Sequence, residues 1–268
     1  MPPDAKEKLP VSAFIIAQDE ADRIGRAIRS VRDWAAEVIV VDSGSSDGTQ
    51  TLARDLGATV SENPWPGYGE QKRFAEDRCA NQWLFNLDAD EEVTPELAAE
   101  IRALFAGGEP PLDGYRIYIA DCFSFKEEPS PWANGHWQIR LYDRRKGRFS
   151  DSPVHDTVRP EAGAAIGKLK HWMAHRSHRN LSFAVEKMNR YTDAQVEDMA
   201  AKGRRVGRLR LLLEFPLAFL KAYLFRRNFL YGAWGWSYAI TFAISRHLRI
   251  AKAYERQLME EAEKKRKR

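Results

Sequence analysis

Cysteine is almost absent: the 268 residues contain two, Cys79 and Cys122, too few for the disulfide framework of a small secreted scaffold. The first residues, Met1-Pro2-Pro3-Asp4-Ala5-Lys6-Glu7-Lys8, lack the apolar core of a signal peptide, which argues against export. No clean apolar run reaches the roughly 20 residues of a membrane-spanning helix. The nearest are 211–220, interrupted by Glu214 and Pro216, and 229–244, weakened by Gly232, Gly235 and Ser237. There is no internal repeat, no long low-complexity stretch and no glycine- and lysine-rich triphosphate loop near the start. What remains fits an intracellular enzyme, long enough to bury one α/β core with a smaller appendage.

Three apolar runs stand out against this background: the β-branched Val11 to Ala17 and Glu37 to Asp42, and the hydrophobic stretch Leu84 to Leu87. Each is short, continuous and bounded by polar residues, as in strands of a parallel sheet covered on both faces. Between the first two, Ala21 to Trp34 places Ile24, Ala27, Ile28 and Val31 at helical spacing, which predicts a βαβ unit. Asp42-Ser43-Gly44-Ser45-Ser46-Asp47-Gly48-Thr49 then forms a polar turn into a helix over Gln50 to Leu56. Ligands of open α/β sheets bind beyond the carboxyl ends of the strands, where Asp42 and Asp88 both fall.

The run Leu87-Asp88-Ala89-Asp90-Glu91-Glu92 sets two carboxylates one residue apart at such an end. Hard oxygen donors in that position suit Mg²⁺ or Mn²⁺ on a diphosphate. The same acids also suit the approach to a helix, and Thr94-Pro95-Glu96 starts one.

Taken in order, Gln18-Asp19-Glu20, the turn at 40–49 and Leu87-Asp88-Ala89-Asp90-Glu91 resemble glycosyltransferase family 2. The segment Asn63-Pro64-Trp65-Pro66-Gly67-Tyr68-Gly69-Glu70-Gln71-Lys72 resembles its bacterial lipopolysaccharide-core β-glucosyltransferase branch. The resemblance implies a GT-A fold: a Rossmann-like, mostly parallel α/β sheet flanked by helices. It implies a transferase domain over 10–180, followed by a helical, basic, amphipathic extension over 181–268.

It also implies roles. Ala17, Gln18, Glu20 and Asp42 hold the base and ribose of a nucleotide-sugar, a UDP-hexose such as UDP-glucose. Lys72 faces the nucleotide, although on residue type alone it reads equally well as a solvated helix charge. Asp90 contacts a divalent metal, Mg²⁺ or Mn²⁺, and Asp88 stands nearer the ribose or behind the metal. Asp19 replaces the asparagine more usual in the family. An acceptor hydroxyl displaces the nucleoside diphosphate with inversion, and Asp156, in Ser152-Pro153-Val154-His155-Asp156-Thr157, is the preferred general base, ahead of Asp121. His155 could position that base, complete the site or fill a polar turn. His175 is a candidate for a metal or phosphate contact, while His171, His175 and His178 lack the spacing of a structural zinc site. Arg140 suits either the acceptor or the diphosphate.

From Lys202 the composition changes: Lys202, Arg204, Arg205, Arg208 and Arg210 lead into the apolar segments, with Arg226 and Arg227 between them. Apolar stretches rimmed by cations fit helices in a membrane interface, or else a helical subdomain packed on the sheet. The first alternative matches a saccharide or glycolipid acceptor at an anionic surface, and predicts a cytoplasmic protein peripherally bound to the inner face of the cytoplasmic membrane. A nucleic-acid-binding reading of the basic third gives no role to Asp42 or Asp90, so no nucleic acid partner is expected. A Mg²⁺-dependent nucleotidyltransferase is the other enzymatic alternative.

Overall fold

The computed structural model describes residues 7–123, 125–150, 157–177 and 179–267. The chain divides into two compact units after Ser177. The first begins with β1 (Leu9–Ala17), α1 (Ile24–Val31), β2 (Ala35–Asp42), α2 (Thr49–Asp55), β3 (Thr59–Glu62), α3 (Tyr68–Arg78) and β4 (Trp83–Asn86). It continues through β5 (Glu91–Val93), α4 (Pro95–Leu104), β6 (Gly114–Asp121), β7 (Gly135–Asp143), β8 (Gly147–Phe149), β9 (Val158–Pro160) and β10 (Ile166–His175).

Eight strands form one sheet in the order β3-β2-β1-β4-β7-β6-β10-β5. The pairs β3/β2, β2/β1, β1/β4 and β6/β10 are parallel. The pairs β4/β7, β7/β6 and β10/β5 are antiparallel, so the sheet is mixed and mostly parallel as expected. Side chains alternate across a strand, and β1 shows the consequence. Val11, Ala13, Ile15 and Ala17 enter one core layer with Ile24, Ala27, Ile28 and Val31 of α1, while Phe14 and Ile16 enter another with Ala75 of α3 and Phe149 of β8. Both faces are covered, which is why the run has no polar alternation.

Register fixes the edge that matters. Ala17 pairs with Asp42 and Phe14 with Asn86, so the chain leaves β1, β2 and β4 on the same side of the sheet. At that edge Gly44 (φ 92°) and Gly48 (φ 90°) let the β2–α2 turn adopt the left-handed backbone that a Cβ disfavours. The helix-approach reading of the Asp88–Glu92 acids is only partly met: Thr94 caps α4, accepting from Leu97 N at 3.3 Å, with Pro95 opening the helix. The carboxylates are free of that task.

The second unit is helical among its described residues: α5 (Leu181–Ala201), α6 (Arg208–Leu220) running into a π-helical segment (Lys221–Phe225), a 3₁₀ turn (Asn228–Tyr231) and α7 (Gly232–Arg266). Val196, Met199, Val206, Ile250 and Ala253 make its apolar core. Glu214 of α6 meets Arg210, Arg246 and Arg249, at 3.4, 3.1 and 3.5 Å. Among the described residues no helix is long and apolar enough to cross a membrane.

Candidate active site

Asp88 and Asp90 follow β4 and lie in two different cages. The first is built around Asp88: its Oδ1 is 2.8 Å from Lys72 Nζ and its Oδ2 is 3.0 Å from Arg140 Nη2. Arg140, from β7, also reaches Glu91 Oε1 at 2.5 Å and donates to Asn86 Oδ1. The loop is closed in both directions, with Glu91 N donating to Asp88 O at 2.9 Å and Asp88 N to Glu91 Oε2 at 2.8 Å. Lys72 is fully buried, so it is not a solvated helix charge, and its ammonium sits 5.1 Å from the Phe149 ring centroid.

The second cage surrounds Asp90. Its Oδ2 is 3.3 Å from Arg23 Nη1 and 3.5 Å from His175 Nε2, and His175 Nδ1 is 3.5 Å from Asp121 Oδ1. Strand pairing produces this convergence: β10 sets His175 opposite Asp121 of β6 on one side and Glu91 of β5 on the other. Arg23 is itself held, its Nε donating to Glu20 Oε2 at 2.8 Å and its Nη1 to Arg176 O at 3.2 Å.

The turn residues are cross-linked rather than open. Asp42 is fully buried; its Oδ1 accepts from Gly44 N, Ser45 N and Gln50 Nε2 at 3.0, 2.7 and 2.9 Å, and its Oδ2 from Ser45 Oγ at 2.5 Å. Ala17 O accepts from Ser43 N at 2.9 Å, and Glu20 N donates to Thr49 Oγ1 at 2.8 Å. Gln18 is exposed beside them. Asp19 adopts φ 53°, a left-handed conformation that Asp and Asn share, and its Oδ1 accepts from Ser46 N at 2.9 Å. An asparagine oxygen would accept the same bond, so the departure from the family's usual residue leaves this contact possible. Gln71 joins two loops, donating to Ser43 Oγ at 2.9 Å and to Asn63 O at 3.1 Å.

Ala17, Gln18, Glu20, Asp42, Lys72, Asp88 and Asp90 thus share the carboxyl-terminal edge of the parallel strands. Asp156 and His155 lie outside the described residues. Arg23, Asn86, Glu91 and Gln71 escaped the sequence reading. Glu91 stood inside the acidic run, whereas Arg23 carried no signal beyond a polar position at the start of a helix.

The pattern described as Glycosyl transferase family 2 matches residues 12–169, more than half of the chain. The chain belongs to glycosyltransferase family 2. Over 253 residues it is 38% identical to an uncharacterized glycosyltransferase of Rickettsia felis, covering 91% of this chain and 89% of that one. It is 33% identical over 264 residues to the lipopolysaccharide core biosynthesis glycosyltransferase LpsC of Rhizobium meliloti, covering 93% of each. Among solved structures, a mannosyltransferase of Pyrobaculum calidifontis in complex with GDP-Man and Mn²⁺ aligns with TM-score 0.48 and 16% identity, over 94% of this chain and 77% of that one. The fold of the transferase is GT-A-like, a mixed α/β sheet flanked by helices.

Burial alone would favour protonation of the transferase's acids, yet the cages reverse this where cations are close. For Asp88, Lys72 and Arg140 outweigh burial and hold the carboxyl far below the usual range. Asp90 is likewise lowered against its burial, by His175 and Arg23. Glu91 goes the other way: burial, aided by the Asp88 charge, pushes it up despite Arg140.

Asp90 Oδ2 and His175 Nε2 are one oxygen and one nitrogen donor close together, and among the described residues no group of three or more His, Cys, Asp or Glu is arranged to hold a metal ion. A hard divalent cation takes about six ligands, so this donor set fits a cation that arrives with a diphosphate and water rather than one caged by protein alone.

His175 is raised to about 10: burial opposes its charged form, but Asp121 and Asp90 outweigh that penalty. Since the folded value lies above the ordinary 6.5, its contribution to stability is complete below about pH 6.5 and disappears as pH rises through about 10. In metal-free protein, His175→Gln should therefore flatten the fall in stability across that window. Urea titrations at a series of pH values measure this, and an unchanged slope would contradict it.

Proposed function

We propose that this transferase moves a hexose from a UDP-sugar, with UDP-glucose the leading candidate, to a saccharide or lipid-linked acceptor in lipopolysaccharide-core synthesis. The observation carrying the proposal is the split of the acidic pair, with Asp88 neutralised by Lys72 and Arg140 and Asp90 turned toward His175. The similarity to LpsC, named for lipopolysaccharide core biosynthesis, supports the acceptor class.

Ala17, Gln18, Glu20 and Asp42 line the nucleoside end. Asp42 is fully buried and its Oδ2 accepts the Ser45 hydroxyl, so it takes a uracil N–H or a ribose hydroxyl only once the Ser45 turn moves aside. Lys72 and Arg140 orient Asp88 toward the ribose. Asp90, with His175, would hold Mg²⁺ or Mn²⁺, which supplies positive charge to the leaving diphosphate. The acceptor hydroxyl attacks from the opposite face of the sugar and inverts the anomeric centre, giving its proton to Asp156. Asp121 is the second candidate base, favoured by its 3.5 Å approach to His175. The enzyme works at the cytoplasmic face of an anionic membrane, where lipid-linked acceptors are assembled.

A thermal-shift panel of UDP-, GDP- and CMP-sugars with Mn²⁺ tests this, because a ligand bound only by the folded state raises the melting temperature. UDP-sugars are expected to stabilise the protein, and only with metal present. Stabilisation by GDP- or CMP-sugars instead, or turnover unaffected by chelation, would reject it.

A further inference from the structure

Val196, Met199 and Ile250 give the helical unit an ordinary apolar core where α5 meets α7, but the α6–α7 contact is packed the other way round. Between α6, its π-helical continuation and α7, the buried side chains are small: Ala218, Ala222, Ala239 and Ala243, with Asn228 the one buried polar residue of the 3₁₀ turn. At Gly235 the backbones nearly touch, since a Cβ there would lie 1.7 Å from Asn228 O.

Apart from Phe219 and Tyr223, whose rings meet Trp236 of α7 at 4.9 and 5.2 Å, the large side chains point the other way. Leu209, Leu213, Leu217, Leu220 and Leu224 recur at steps of four, four, three and four, which is one face of a helix, and each is 43 to 69% exposed. Phe225, at 82% exposed, extends that face into the turn. Trp234 and Trp236 are also exposed, on the first turns of α7. In water the order is normally reversed, with large apolar residues filling the helix contact and polar ones facing out. Small residues inside and leucines outside is the arrangement of helices packed in lipid.

No described helix of the unit is long and apolar enough to cross a bilayer. Charge also marks both ends of the apolar face. Arg208 and Arg210 lie at its start and Lys221 and Arg227 near its turn, all exposed. Residues 202–227 hold eight Lys and Arg against one acid, Glu214. The stretch from Leu209 to Leu224 is roughly 22 Å long at 1.5 Å per residue. Its length and charged ends suit a helix lying flat at the level of lipid headgroups.

We infer that the α6–α7 hairpin is a monotopic anchor. Its leucine face is buried in the acyl boundary of an anionic bilayer, and its cations contact the lipid phosphates. This makes specific the membrane placement in the proposed function and does not depend on which donor is used.

The test is co-flotation of the full chain with vesicles of phosphatidylcholine alone or mixed with phosphatidylglycerol. Binding is expected to the anionic vesicles, weakening with salt. A variant combining Leu213→Ser, Leu217→Ser, Leu220→Ser and Leu224→Ser should bind at least tenfold more weakly. These residues are exposed, so the variant should keep its melting temperature and its response to UDP-sugar. A dye on Leu217→Cys should shift to the blue on anionic vesicles. Absence of flotation, or undiminished flotation of the serine variant, would overturn the inference. So would a dimer that covers the dye without lipid, since the occupant would then be a second copy. Loss of the UDP-sugar response with flotation intact would reject the donor assignment alone.

Discussion

Asp90→Asn is expected to lower transfer by a factor of about 10² to 10³, the usual cost of removing one electrostatic contact to charge that develops in the transition state. The substitution keeps the shape of the side chain and removes its charge. In the proposed role that charge sits on Oδ2, where Arg23 at 3.3 Å and His175 at 3.5 Å draw the carboxylate into its ionised form. Mn²⁺ affinity in the presence of UDP, read by electron paramagnetic resonance, should fall with turnover. Asp88→Asn should behave differently. Its oxygens are taken by Lys72 and Arg140, so the substitution should weaken folding and nucleotide binding more than metal affinity. Equal Mn²⁺ affinity in wild type and Asp90→Asn would remove Asp90 from the metal-binding role and leave Asp88 to be tested in its place.

How much of this was legible in the sequence follows from the range of the interactions involved. The strands ending at Ala17, Asp42 and Asn86 announced themselves because a buried parallel strand leaves a local mark, a short run without polar alternation. Asp88 and Asp90 were legible for the same reason, being neighbours at one strand end. Their partners were not. Arg23 is 67 residues from Asp90 in sequence, and Arg140 is 52 from Asp88, so each pairing is a product of sheet order. His175 meets Asp90 because β10 lies between β6 and β5, a crossover that no periodicity reports. Lys72 could be read from residue type as either solvated or buried, and only the packing of α3 against the sheet decides it. The C-terminal helices show the same limit. Composition counts apolar residues, but only three dimensions reveal that alanine and glycine face in and leucine faces out.

Arg140→Met is expected to destabilise the sheet domain by about 3 to 5 kcal/mol, the range for removing one partner from a buried ion pair. Arg140 is 1% exposed and donates to Asn86, Asp88 and Glu91 among its described partners. Methionine of similar length fills the space, so the loss is electrostatic: the buried Glu91 carboxylate and the partly exposed Asp88 carboxylate would be left with Lys72 as the nearest remaining cation of the cage. Glu91 offers the route by which the protein limits the damage. Burial already pushes its carboxyl up, so in the wild type too this group adds stability as pH falls; without Arg140 it should take its proton at a higher pH, and the variant should regain more stability on acidification than the wild type does. Adding Glu91→Gln to Arg140→Met imitates that proton and should recover at least about 1 kcal/mol, the coupling expected of residues in one network. Urea unfolding of the wild type, both single variants and the double variant forms the cycle. Strict additivity would mean that Arg140 and Glu91 do not share charge, and that Asp88 is held by Lys72 without them.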